Sequence, residues 1–186
     1  MPAPMTRLRD EHDNVEKLLK ILESQSTGAT GGRPDYGLME DIAEYFLTYP
    51  DAVHHPCEDM VYVKLAERRP DQAREIGDLV TEHGRIADAT RSLANTLRLI
   101  DQDGAVTHHE FHAVVQGFVA AQRAHMQKEE VVFFPAAEQT LTAEDWNAIN
   151  IQFEVHTDPI FGHNLEERFV TLRNRIFSWN DDSSPC

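Results

Sequence analysis

Ten of the 186 residues are histidine, and several fall in places where an imidazole has to be explained. His12 interrupts an apolar series between Leu8 and Val15, and His83 does the same between Leu79 and Ile86. His54 and Glu58 stand four residues apart, and so do His125 and Glu129. On a helix this spacing puts both side chains on one face, about 6 Å apart along the axis. Imidazoles and carboxylates in an apolar seam are costly unless they are paired or hold a cation. A single seam histidine is ordinarily a core residue satisfied by one hydrogen bond. Six donors at one level call for more. Four imidazoles (His12, His54, His83, His125) and two carboxylates (Glu58, Glu129) suit a borderline first-row cation: iron, manganese or zinc. Glutamates on facing helices can bridge a pair of such ions while the imidazoles fill terminal positions. The remaining coordination positions are then open to a small molecule.

These six residues act together only if their elements align. Helix formers dominate, and apolar residues recur at three and four. Met5 to Gln25 forms one amphipathic helix, followed by a glycine-bearing loop from Ser26 to Pro34. A second helix starts near Asp35, is interrupted at Pro50 and Pro56, and resumes towards Ala66. After a boundary at Arg69-Pro70-Asp71, a third helix carries Ile76, Leu79, His83, Ile86, Leu93 and Ile100. A fourth follows the turn at Asp101 to Gly104, with Phe111, Phe118, His125, Glu129 and Val132 on its inner side, and ends near Pro135. Thr142, with acids behind it, starts a shorter helix through Trp146, Ile149 and Phe153. A last apolar run takes in Phe161, Leu165, Phe169, Leu172 and Ile176. No segment has strand periodicity. The expected fold is all-α: an up-and-down four-helix bundle over residues 1–140, with residues 141–186 as a C-terminal helical extension packed on it. In that topology His12, His54, His83 and His125 lie at depths that agree within about a turn or two, so the six donors can converge.

Composition narrows the function. Lys and Arg number 17 against 32 Asp and Glu, for a net charge of -15 and a pI near 4.9. Such a chain repels phosphate backbones and anionic lipid, so neither nucleic acid nor a membrane is an expected partner. Two cysteines, Cys57 and Cys186, make no disulfide framework. Charges break up Met1 to Lys20 where a signal peptide needs an apolar stretch. A cytoplasmic protein is expected, as a monomer or homodimer. No phosphate loop, nucleophile elbow or paired CxxC is present.

The segments Leu8-Arg9-Asp10-Glu11-His12, His54-His55-Pro56-Cys57-Glu58-Asp59, Glu82-His83 and His125-Met126-Gln127-Lys128-Glu129-Glu130 resemble the hemerythrin-like, or HHE cation-binding, family. The resemblance runs from Met5 to about Thr140. It implies a non-haem site of two carboxylate-bridged iron ions, in preference to zinc or manganese, that handles O2 or related oxidants. The tail, with Asp145-Trp146 and Asp158-Pro159-Ile160-Phe161-Gly162, resembles extensions of bacterial members and implies a bacterial source. Two departures stand out. Oxygen-carrying members have a His-x3-His pair on the third helix, whereas Ala87 occupies that spacing after His83. Their fourth-helix carboxylate is an aspartate five residues after the histidine; here Glu129 comes at four and Glu130 at five. A site poorer in histidine and richer in carboxylate is therefore expected. That argues against simple O2 storage and for reaction with O2, H2O2 or NO, peroxide disproportionation being the catalytic version. The alternative is an iron or redox sensor whose tail helix signals to a partner or dimer interface without turnover.

Several neighbours have two readings. His55, about 100° round the helix from His54, is a seventh donor, a residue that supports the donors from behind, or a surface residue. Asp59, Glu130, Glu11 and Glu82 adjoin the donors and either hydrogen-bond a ligand imidazole or stay solvated. Cys57 reads as a small buried hydrophobe. His109 and His112 point away from His125, His108 stands at a helix start, and His156 and His163 lie in the tail. Tyr45, Tyr49 and Tyr62 are core candidates, one of which could donate a hydrogen bond to a small ligand.

Overall fold

A computed structural model of the chain describes residues 2–28, 33–153, 158–162 and 167–182. Helix α1 (Ala3–Thr27) ends on Gly28, whose φ of 68° is open to glycine at little cost. Helix α2 (Tyr36–Thr48) is capped by Asp35, whose carboxylate accepts from the Leu38 amide at 3.1 Å. Pro50 has no N–H, so the α ladder fails there, and Pro50–His54 forms a wide π-turn in which the His54 amide bonds Tyr49 O at 3.2 Å. Helix α3 (His55–Arg68) follows directly, with Pro56 in its first turn, where a missing N–H costs nothing. The interruption expected at the two prolines is therefore a turn that carries a candidate ligand, His54.

The third long helix starts later than its apolar series suggests. Ile76 closes a separate short helix α4 (Pro70–Ile76), and Gly77, at φ 89°, turns the chain. Asp78 then caps α5 (Leu79–Asp101) by accepting from the Thr81 amide at 3.0 Å. Helix α6 (His108–Lys128) opens with a reciprocal cap between Thr107 and Glu110. It passes through a second π-turn (Glu129–Phe133) into α7 (Phe134–Thr140). The wider i→i+5 turn shifts the inward phase by one residue, so Phe133 is buried while Val132, expected inside, is 44% exposed.

Four helical columns, α1, α2–α3, α5 and α6–α7, make the bundle, with α5 packed between α2 and α6 and α1 against α6. Its core is split in two. One apolar cluster includes Val15, Leu19, Phe46, Leu93 and Phe118. The other includes Leu8, Leu65, Leu79, Phe133 and Phe134. Leu8 and Val15, on either side of His12, belong to different clusters, so the histidine layer lies between them. Helix α8 (Ala143–Phe153) adds Trp146 and Ile149 to the second cluster. Ile160, together with Phe169, Leu172 and Ile176 around the start of α9 (Val170–Asp182), joins the first. Asp158 anchors this return: it accepts from the Ile160 and Phe161 amides at 2.8 Å each and from the Tyr45 hydroxyl at 2.7 Å. His156, His163, Leu165 and Cys186 lie outside the described residues. Among the described residues there is no strand, and no helix is long and apolar enough to cross a membrane.

Candidate metal centre

Each column delivers its donors to one buried layer. His12 comes from α1, His54 from the first π-turn, Glu58 from α3, His83 from α5, His125 from α6 and Glu129 from the second π-turn. All six are at most 6% exposed. Glu58 Oε1 lies 3.4 Å from His12 Nε2 and 3.2 Å from His54 Nε2, while its Oε2 lies 3.6 Å from His83 Nε2. Glu129 mirrors it, with Oε2 3.5 Å from His12 Nε2 and Oε1 3.5 Å from His83 Nε2 and 3.1 Å from His125 Nε2. Two donor groups result, each with ligand atoms within 4.8 Å of one another: His12, His54 and Glu58, and His55, Glu58, His83 and His125.

His55 is thus inside the layer, 5% exposed, its ring stacked on His83 at 4.5 Å and edge-on to His125 at 5.6 Å. His54, one residue earlier, turns instead towards His12, with ring centroids 5.1 Å apart. A step of about 100° would carry one of two adjacent residues away from a single point. The layer holds two donor groups side by side, and the step sends one ring to each. The expectation of a histidine-poor site is corrected accordingly: five imidazoles share the layer.

Behind the rings stands a carboxylate shell. Nδ1 faces Glu11 in His54 (2.6 Å), Asp59 in His83 (2.9 Å), Glu130 in His12 (3.0 Å) and Asp51 in His55 (3.4 Å). The Nδ1 of His125 lies 3.7 Å from Glu82, beyond hydrogen-bond length, and Glu82 pairs with Lys128. An Nδ1–H directed outwards to a carboxylate fixes the tautomer and leaves the Nε2 lone pair facing inwards, the arrangement in which histidine binds metal. Arg7 holds Glu11 at 2.7 Å, and Arg9 holds Glu130 at 3.1 Å. Phe134 stacks on His12 at 5.3 Å.

The model of the hemerythrin HHE cation-binding domain matches residues 3–137, most of the chain and every residue named in the layer and its shell. The chain belongs to this family. No curated protein matches it. An HHE domain binds a cation, and the polar atoms of this one fit that role. His12 Nε2, His125 Nε2, both oxygens of Glu58 and Glu129 Oε2 are buried without a hydrogen-bond partner. Leaving so many polar atoms unpaired in a native core is unfavourable by several kcal/mol unless an ion satisfies them.

Without an ion, protons take its place. Burial lowers the His12 and His83 pKa values, but Glu130 and Glu58 around His12, and Asp59 and Glu129 around His83, raise both to about 9. His54 is likewise held well above its ordinary value by Glu58 and Glu11 against its burial. Burial drives Glu58 upwards, but His54 and His12 overcome this and hold it well below the usual carboxylate range. His55 is lowered, because burial outweighs Asp51. A histidine whose folded pKa is raised stabilises the fold below its unfolded pKa, and that contribution is lost as pH rises through the folded value. The thermal midpoint of the metal-free HHE domain is therefore expected to fall between pH 6.5 and about 9. A midpoint flat or rising over that window would show that the imidazoles do not carry these protons.

The other candidates divide cleanly. Burial pushes the Cys57 thiol up to about 12, so it remains a thiol, as its reading as a small hydrophobe requires. His108 and His109 are exposed and His112 is half-buried, with His108 and His112 stacked at 6.4 Å away from the layer. None of the three tyrosine hydroxyls donates into the layer. Tyr49 donates to Glu11 at 2.7 Å, Tyr45 to Asp158 at 2.7 Å and Tyr62 to Gly77 O at 2.8 Å.

Proposed function

We propose that this HHE domain holds a pair of iron ions bridged by Glu58 and Glu129, and that it binds or reacts with a small oxidant such as O2, H2O2 or NO. The division of the donors supports this reading best: two imidazoles lie on one side of Glu58 and three on the other. A structural zinc site closes on four ligands, commonly thiolates. Here seven donors are unequally shared, and the nearby sulfur is a buried thiol. Iron at such a site supplies open coordination positions and redox equivalents to a small ligand. The chain supplies the rest. The shell carboxylates aim the rings, Glu58 and Glu129 offset cationic charge, and the two apolar clusters exclude bulk water. The position served by His12 and His54 keeps more open coordination than the one served by His55, His83 and His125. A surface groove lined by Arg9, His12, Glu16, Arg123, Met126 and Glu130 borders the outer, Glu130-facing side of the His12 ring.

The test is to load the chain with ferrous iron without oxygen and expose separate samples to O2, H2O2 and NO while recording absorption. At least one is expected to change the spectrum, and O2 release from H2O2 would identify the peroxide-consuming version. His54→Ala or Glu129→Ala should lose metal together with the response, whereas His109→Ala should keep both. No response to any of the three would overturn the oxidant reading. In a bacterial cytoplasm, peroxide consumption would serve in oxidative stress.

One set of contacts favours the sensor alternative. His54 bonds Glu11, Glu11 accepts from Tyr49, Tyr49 stacks on Tyr45 at 5.9 Å, and Tyr45 donates to the Asp158 that anchors the tail. A sensor requires amide exchange in α9 to change on metal loading. A catalyst turns over with exchange there unaltered.

A further inference from the structure

The innermost stripe of α6 and the turn after it runs Phe111, Val115, Phe118, Gln122, His125, Glu129, all of them buried. Apart from the two metal-facing donors, one member is polar. Gln122 is 2% exposed, and its Nε2 is buried with no hydrogen-bond partner. Among the described residues, every other buried side-chain atom in that condition belongs to the metal-facing donors or to Asp51 behind His55. An unpaired buried amide is destabilising, and apolar residues of similar volume would fill the position without that cost.

Its place in the bundle accounts for it. Gln122 lies three residues before His125, about 4.5 Å along the axis, and within about 20° of the α-helical phase of Glu129, so it faces the bundle axis. On its far side Phe118 packs edge-on against Phe46 at 5.0 Å. Val15, one turn from His12, and Ile86, one turn from His83, are buried apolar residues of the neighbouring columns. A buried hydroxyl of the neighbouring α5, Thr90, is already committed to Ile86 O at 3.0 Å. The amide is thus an uncommitted donor in an apolar layer bordering the imidazoles.

We propose that the Gln122 carboxamide donates a hydrogen bond to a small ligand at the His12–His54 position, and so selects ligands with a terminal acceptor atom. It acts as a positioning residue, not as a metal ligand. The inference rests on the two-iron reading above. Azide, an anion that ligates ferric iron and carries a terminal acceptor nitrogen, is a suitable probe.

The experiment compares wild type with Gln122→Leu and with Gln122→Met, which keeps the volume should the leucine variant fold poorly. Three quantities are read: iron per chain, the azide dissociation constant from absorption titration, and the thermal midpoint of the metal-free protein. Iron content is expected to stay the same and the midpoint to hold or rise, because an unsatisfied donor has been removed. Azide binding is expected to weaken about tenfold or more, the worth of a hydrogen bond to a charged group. Unchanged azide affinity at unchanged iron content would overturn this inference and leave the metal reading standing. A wild-type chain that holds no iron would overturn both.

Discussion

Replacing Glu58 with alanine is expected to empty the site, taking the chain from a pair of ions to less than one. Glu58 is common to both donor groups, one oxygen facing His12 and His54 and the other facing His83. No other residue lies in both groups. Its loss also takes from His12 and His54 the inner of the carboxylates that hold them in their charged forms, leaving Glu130 and Glu11 alone behind the rings. Removing one member of a buried charged set costs about 3–5 kcal/mol, so the metal-free variant should also unfold earlier. Glu58→Gln keeps the volume but offers a weaker ligand and should fall between. Metal per chain and the thermal midpoint together check this. A variant that keeps both ions would show that Glu58 does not bridge.

Glu11→Ala is expected to have the second-largest effect, although Glu11 faces no ion position. Its carboxylate joins three partners, two buried and one half-buried: His54 Nδ1 at 2.6 Å, the Tyr49 hydroxyl at 2.7 Å and Arg7 Nε at 2.7 Å. Burial alone would raise its pKa, but His54 and Arg7 hold it below the ordinary value, so it is ionised and engaged. Without it the His54 ring loses its orientation, Arg7 becomes a half-buried cation with one partner fewer, and Tyr49 loses its acceptor. Loss of a carboxylate behind a ligand imidazole typically lowers metal affinity about tenfold to a hundredfold. Stranding a buried charge adds about 3–5 kcal/mol of destabilisation. Competition with a chelator of known affinity measures the first, and denaturant unfolding of the metal-free protein measures the second. Wild-type values for both would mean that the shell carboxylates do not orient the rings.

The layer itself was legible in the sequence because its donors interrupt apolar helical stripes at regular spacing. A polar residue at a core phase is a conflict that only pairing or an ion resolves. Part of what escaped came from the π-turns. A fixed 100° step treats the bundle centre as one line and assigns His54 or His55 to it; with two donor groups side by side both rings fit. The same spacing rule that joins His54 to Glu58 also joins Asp51 to His55, a pair readable from sequence once His55 is taken as a donor. Val132 was misplaced because Glu129–Phe133 spends an extra residue on its turn. Ile76 was joined to the wrong helix because its apolar phase continues across Gly77, whose positive φ breaks the ladder. Gln122 was passed over because it lies between expected stripe positions, and its unpaired amide emerges only once the packing is known.

Metal content bears most directly on the central claim. The chain should be purified without tag-borne metal and its ions counted by mass spectrometry, with an absorption spectrum of the same sample. About two irons per chain, with an absorption spectrum that bound iron accounts for, is the result expected of a carboxylate-bridged pair. A single zinc, or no ion that survives dialysis, would contradict it and leave a helical domain whose buried imidazoles serve some other end.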